Sequence, residues 1–144
     1  MHKLHLAISL TTLLGLFGMV GGTSAAEEPI KVVYHVNDTQ VASAAMGNIN
    51  NHLNADPTAK IVVVTHGKGI DFLLEGAQDK NGNPYNIPVE QLMARGVQFD
   101  VCNNTLNSRK IDPKTVLPGV KIVPSGVAEV AKLQAREGYV YLKP

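Results

Sequence analysis

The sequence predicts an α/β domain of three layers, with a five-stranded, mostly parallel sheet between helices. Three observations carry this. Apolar, β-branched runs alternate with stretches of helical spacing from Ile30 to the end of the chain, the pattern of repeated strand–helix–strand units. One run, Lys60 to Thr65 (KIVVVT), is nearly continuous in apolar residues, as an interior parallel strand covered on both faces requires. The chain has 144 residues, 44% hydrophobic and 17% charged, which suits one core and argues against disorder or a coiled coil. Thirteen Lys and Arg against twelve Asp and Glu, with no basic stripe, point away from a nucleic-acid partner.

The elements follow in order. Residues 1–26 are set aside: Lys3 gives a basic start, Leu6 to Val20 is apolar, and Ser24 and Ala26 fit a small-x-small cleavage rule. That is the pattern of a secretory signal peptide, too short for a membrane span. A mature domain over residues 27–144, periplasmic or secreted and free of the membrane after cleavage, is expected.

Ile30 to Val36 (IKVVYHV) reads as strand one. Val41, Ala45, Ile49 and Leu53 then fall four apart on one helix face, and Asp56-Pro57 stops that helix. Strand two, Lys60 to Thr65, leads into the turn His66-Gly-Lys-Gly69 and a short helix from Ile70 to Leu74. Glu75 to Asn86 is loop-like, and Pro88 sits early in a helix that stops at Gly96. Val97 to Val101 is strand three, Asn103 to Ile111 a helix, and Val120 to Val123 strand four. A helix from Ser125 to Arg136 and a closing strand, Gly138 to Leu142 (GYVYL), complete the domain.

In sheets of this class ligands gather at the carboxyl ends of the strands. The candidates are therefore Asn37 and Asp38, His66 to Gly69, Cys102 to Asn104, and Pro124 to Gly126. Cys102 is the only cysteine, so an intramolecular disulfide is impossible. A helix opening at Asn103 would aim free N–H groups and a positive dipole end at its sulfur, favouring the nucleophilic thiolate. Asn103, Asn104 and Thr105 could add donors. The opposing reading is a small buried hydrophobe, the common state of a free cysteine. His66 is the candidate partner, to orient a substrate, act as a base, or donate to an anionic sulfur; alternatively it only completes a turn. Gly67 and Gly69 allow a tight turn or close approach, and Lys68 adds positive charge. His35, inside strand one, reads as a core histidine bonded to its surroundings, and His52, on the first helix, as a surface or interface residue. Neither a nucleotide loop nor a CxxC, HxH or HExxH spacing is present, so no metal and no cofactor are expected.

The strand YHVND, the turn HGKGI, the stretch GVQFDVCNNTL around Cys102 and the ending SGVAEVAKLQAREGYVYLKP together resemble the DsrE/DsrF-like (YchN-like) proteins. The resemblance covers about Ile30 to Pro144. It implies an α/β/α fold with a five-stranded parallel sheet and assembly into homo-oligomers, often trimers or hexamers. It also implies a sulfur-relay role, with a persulfide carried on a cysteine at the position Cys102 matches. The expected function is then an exported, sulfurtransferase-like carrier that takes sulfane sulfur from a donor protein or small sulfur compound and passes it to an acceptor thiol. The alternative is a non-catalytic, oligomeric binding or assembly module of the same fold with a buried cysteine.

Overall fold

A computed structural model describes residues 27–144; the segment read as a signal peptide lies outside the described residues. The sheet has five strands, β1 (Lys31–Val36), β2 (Lys60–Thr65), β3 (Gln98–Cys102), β4 (Lys121–Val123) and β5 (Val140–Leu142), in the order β4-β3-β2-β1-β5. Every pairing is parallel. The helices are α1 (Ala42–Ala55), α2 (Asn86–Ala94), α3 (Asn103–Arg109) and α4 (Gly126–Glu137). A 3-10 turn at Thr39–Val41 leads into α1, capped by the Asp38 side chain accepting from the Gln40 N–H. The short helix expected at Ile70 is a 3-10 segment that starts earlier, Gly67–Leu73.

The order of strands dictates how the layers divide. From β1 to β4 the chain steps in one direction across the sheet, so right-handed crossovers keep these connections on one face. The last connection reverses, from β4 back past β1 to β5, which carries α4 to the other face. The first face holds the larger core: Val32, Tyr34 and Val36 of β1, Ile61 and Val63 of β2, and Phe99 and Val101 of β3 meet Ile49, Phe72, Val89 and Leu106. The second core is small, with Val33, Val62 and Val64 under Val130 and Leu133 of α4. No helix among the described residues is long and apolar enough to cross a membrane.

Strand alternation gives the α4 face an unusual content. Besides the three valines it carries His35, Asp100 and Cys102. Asp100 is fully buried. Its Oδ1 accepts from Gln98 Nε2 at 2.8 Å, and its Oδ2 has no partner among the described residues. Burial pushes this carboxyl above the ordinary range despite the Gln98 bond. An apolar-strand reading of GVQFDV gave no warning of it.

Candidate functional site

Cys102 ends β3 and occupies the N-cap position of α3, with only 5% of its surface exposed. Two helix N-termini converge on its sulfur. From α3 come the N–H groups of Asn104 and Thr105 and the Thr105 hydroxyl; from α4 comes the N–H of Gly126, that helix's first residue. Burial alone would raise the thiol pKa, but these hydrogen bonds outweigh it and hold the thiol below its ordinary value. The Asn104 N–H also reaches the Pro124 carbonyl at 3.3 Å, which ties the start of α3 to the loop preceding α4.

The geometry has a direct consequence in solution. Alkylation of Cys102 by iodoacetamide in the folded protein should reach half its maximal rate below the pH of about 8.5 found for a free thiol. A midpoint at or above that value would show that burial dominates.

The turn after β2 is held against this sulfur from several sides. Gly67, at φ +58°, has the left-handed backbone that favours glycine. Its N–H donates to Thr105 Oγ1 at 3.0 Å, so one hydroxyl accepts from the turn and donates to the thiol. Arg109, at the end of α3, donates to the Gly67 carbonyl at 3.0 Å and pairs with Asp71 at 2.5 Å. Thr39 Oγ1 donates to the Lys68 carbonyl, while the Lys68 residue itself is exposed. Gly69 is buried against β1: a Cβ there would lie 2.1 Å from the Val36 carbonyl oxygen. The close approach made by Gly69 is thus to the protein's own backbone. Asn103 is half-buried and Asn104 exposed; it is the backbone N–H of Asn104 that meets the sulfur.

His66 follows β2 directly, and the register Thr65↔Val101 sets it beside Cys102. Gly126 sits over both, since a Cβ on it would be 3.2 Å from the Cβ atoms of Cys102 and His66 and 3.0 Å from the Thr65 carbonyl oxygen. Among the described contacts, however, the His66 ring bonds to His35 rather than to the sulfur: the two Nε2 atoms are 2.7 Å apart. His35 Nδ1 is in turn 2.8 Å from the Tyr141 hydroxyl. Burial, the neighbouring His66 and the charge of Lys143 together push the His35 pKa down. The core reading of His35 is therefore amended: it is half-buried and belongs to the site's surroundings. His52 bonds to the Tyr34 hydroxyl at 3.0 Å. Among the described residues no three His, Cys, Asp or Glu side chains are grouped as metal ligands.

Reading the sequence brought forward Cys102, His66, Thr105 and the glycine turn, and the structure brings these together. It missed Arg109, Tyr141 and the role of His35. Period-two counting held the signal for the last: residues 62, 64 and 66 share a face, as do 100 and 102, and His35 shares it with Val33.

A buried thiol under two helix N-termini, at the carboxyl edge of an all-parallel sheet, is the class of site on view, and comparison with known proteins gives the class its family. The profile of the DsrE/DsrF-like family matches residues 30–144: the chain belongs to that family. A solved structure of a protein of unknown function from Methanobacterium thermoautotrophicum is similar at 28% identity and a TM-score of 0.71, covering 80% of this chain and 99% of that one. The YchN protein from E. coli matches at 15% identity and a TM-score of 0.65, covering 82% and 100%, and so shares the fold. No curated protein matches the chain significantly.

Proposed function

We propose that this is an exported sulfur-relay protein that carries sulfane sulfur as a persulfide on Cys102 and passes it to an acceptor thiol. The observation that supports this best is the set of three N–H donors and one hydroxyl around the sulfur. In the first step the Cys102 thiolate attacks the outer sulfur of a donor persulfide, R–S–SH. The donor S–S bond breaks, its electron pair leaves on the inner sulfur, and Cys102–S–SH forms. In the second step an acceptor thiolate attacks that outer sulfur and Cys102 departs as the thiolate. Donors that stabilise a sulfur anion make Cys102 a good leaving group in the second step, as well as raising its thiolate fraction for the first. A homo-oligomer, trimeric or hexameric, working outside the cytoplasm belongs to the same proposal, as does a protein or small-molecule sulfur donor.

Membership of the family supports the relay reading at the level of the fold. The 5% exposure of Cys102 favours a second reading, a non-catalytic binding or assembly module with a sealed cysteine. One experiment separates them. After incubation with a small-molecule persulfide, the intact mass of the protein should rise by one sulfur, and Cys102→Ser should abolish the gain. A wild-type protein that gains no sulfur, while its Cys102 alkylates only after unfolding, would decide for the module.

A further inference from the structure

On the α4 face, four side chains cross four neighbouring strands in an oblique row: Tyr141 on β5, His35 on β1, His66 after β2 and Cys102 on β3. Three of them are in direct hydrogen-bond contact, Tyr141 to His35 at 2.8 Å and His35 to His66 at 2.7 Å. The fourth lies across Gly126 from His66. Tyr141 is 40% exposed, so the far end of the row is open to water. We propose that Tyr141, His35 and His66 form a proton chain serving Cys102, with His66 as the group that delivers the proton and His35 and Tyr141 as positioning residues acting through it. This rests on the sulfur-relay reading above.

The chemistry follows from the donor and acceptor rules of imidazole. A bond between two Nε2 atoms contains a single proton, so one ring donates while the other accepts. With the Tyr141 hydroxyl donating to His35 Nδ1, His35 must donate from Nε2 and His66 must accept at Nε2. The His66 proton is then on Nδ1, the nitrogen that His35 leaves free. Sulfur acceptance releases a donor thiolate, R–S⁻, beside this ring. His66 Nδ1–H protonates it to R–SH while His66 Nε2 takes the proton of His35 Nε2. His35 Nδ1 then takes the Tyr141 proton, and the tyrosine oxygen recovers one from water. The new Cys102–S–SH gives its own proton to solvent, so the exchange is R–S–SH plus Cys102–S⁻ to R–SH plus Cys102–S–S⁻, with no oxidant or reductant needed.

A second proton on the histidine pair would put two N–H groups face to face. The titratable and charged groups around His35 are His66, Tyr141 and Lys143. Burial, His66 and Lys143 disfavour the charged form of His35, which suits a residue that relays a proton between turnovers.

Two measurements test the chain, and they fail separately from the sulfur reading. In long-range ¹H–¹⁵N spectra of the folded protein, His35 should show the Nε2–H tautomer and His66 the Nδ1–H tautomer, as one shared proton between the two Nε2 atoms requires. In His66→Gln, His35 should titrate once, at higher pH than in the wild type but still below the usual histidine range. Either ring in the opposite tautomer would overturn the chain whatever Cys102 does. In the second measurement, Tyr141→Phe and His35→Gln should each slow sulfur uptake from a small-molecule persulfide by about tenfold, less than the 10²–10⁴-fold of a proton-transferring group itself. Alkylation by iodoacetamide expels iodide, which needs no proton, so it should slow by less than about twofold in the same variants. Equal slowing of both reactions, or of neither, would overturn the positioning role. Absence of uptake by the wild type would overturn the relay reading and the chain's purpose together, leaving the shared proton to the spectra.

Discussion

Gly69→Ala should destabilise the protein by roughly 3 kcal/mol or more, the upper range for forcing atoms into a packed interior. The new Cβ would stand 2.1 Å from the Val36 carbonyl oxygen, 2.6 Å from its carbon and 2.8 Å from Asn37 Cα. All three are backbone atoms at the end of a central strand, so none can swing aside as a flexible side chain would. Gly67→Ala makes the informative comparison. Its Cβ meets only the Asn37 oxygen, at 3.7 Å, and its penalty is the left-handed backbone at φ +58°, worth about 1–2 kcal/mol. Denaturant midpoints for the two variants should differ accordingly. A Gly69→Ala protein as stable as the wild type would show that the turn and β1 are free to separate.

Thr105→Val should slow Cys102 alkylation at neutral pH by about tenfold, since one hydrogen bond to a charged group is worth about 1.5–3 kcal/mol. Valine keeps the shape of the side chain and removes both of its bonds. The sulfur loses a hydroxyl donor, so the thiol pKa rises, and the alkylation curve moves to higher pH. The Gly67 N–H, part-buried, loses its acceptor at the same time, which costs about 1–3 kcal/mol of stability. Thr105→Ser retains the hydroxyl and should react like the wild type. Matching curves for valine and threonine would mean that the backbone N–H groups alone set the acidity.

Much of this architecture was legible from residue patterns, because parallel sheets write themselves plainly. In KIVVVT every residue after Lys60 is buried, and Ala45, Ile49 and Leu53 share the buried face of α1, with Val41 just ahead of it in the 3-10 turn. Errors fall at boundaries. Ile30 precedes β1, Val97 precedes β3, and α2 begins at Asn86, leaving Pro88 in a first turn that needs no N–H from it. At the site, Cys102 was legible because it ends a strand and opens a helix within one sentence of sequence. The contribution of α4 was not, since Gly126 reaches the sulfur only through a crossover that reverses the direction of the sheet. His35 looked like core because alternation shows which face a residue takes, while what covers that face depends on pairings distant in the chain. Tyr141 and Arg109 are the same case: their partners lie 106 and 38 to 42 positions away.

That distance gives the thiol a history. A chain made from its N-terminus first contains Cys102 well before it contains Gly126, and Tyr141 arrives almost last. Until the final helix has crossed the sheet, the sulfur lacks one of its backbone donors and the histidine pair lacks its tyrosine. The acidity of Cys102 therefore matures with the domain: a thiol on a nascent or partly assembled chain is closer to an ordinary one, and full acidity marks a chain whose end has docked.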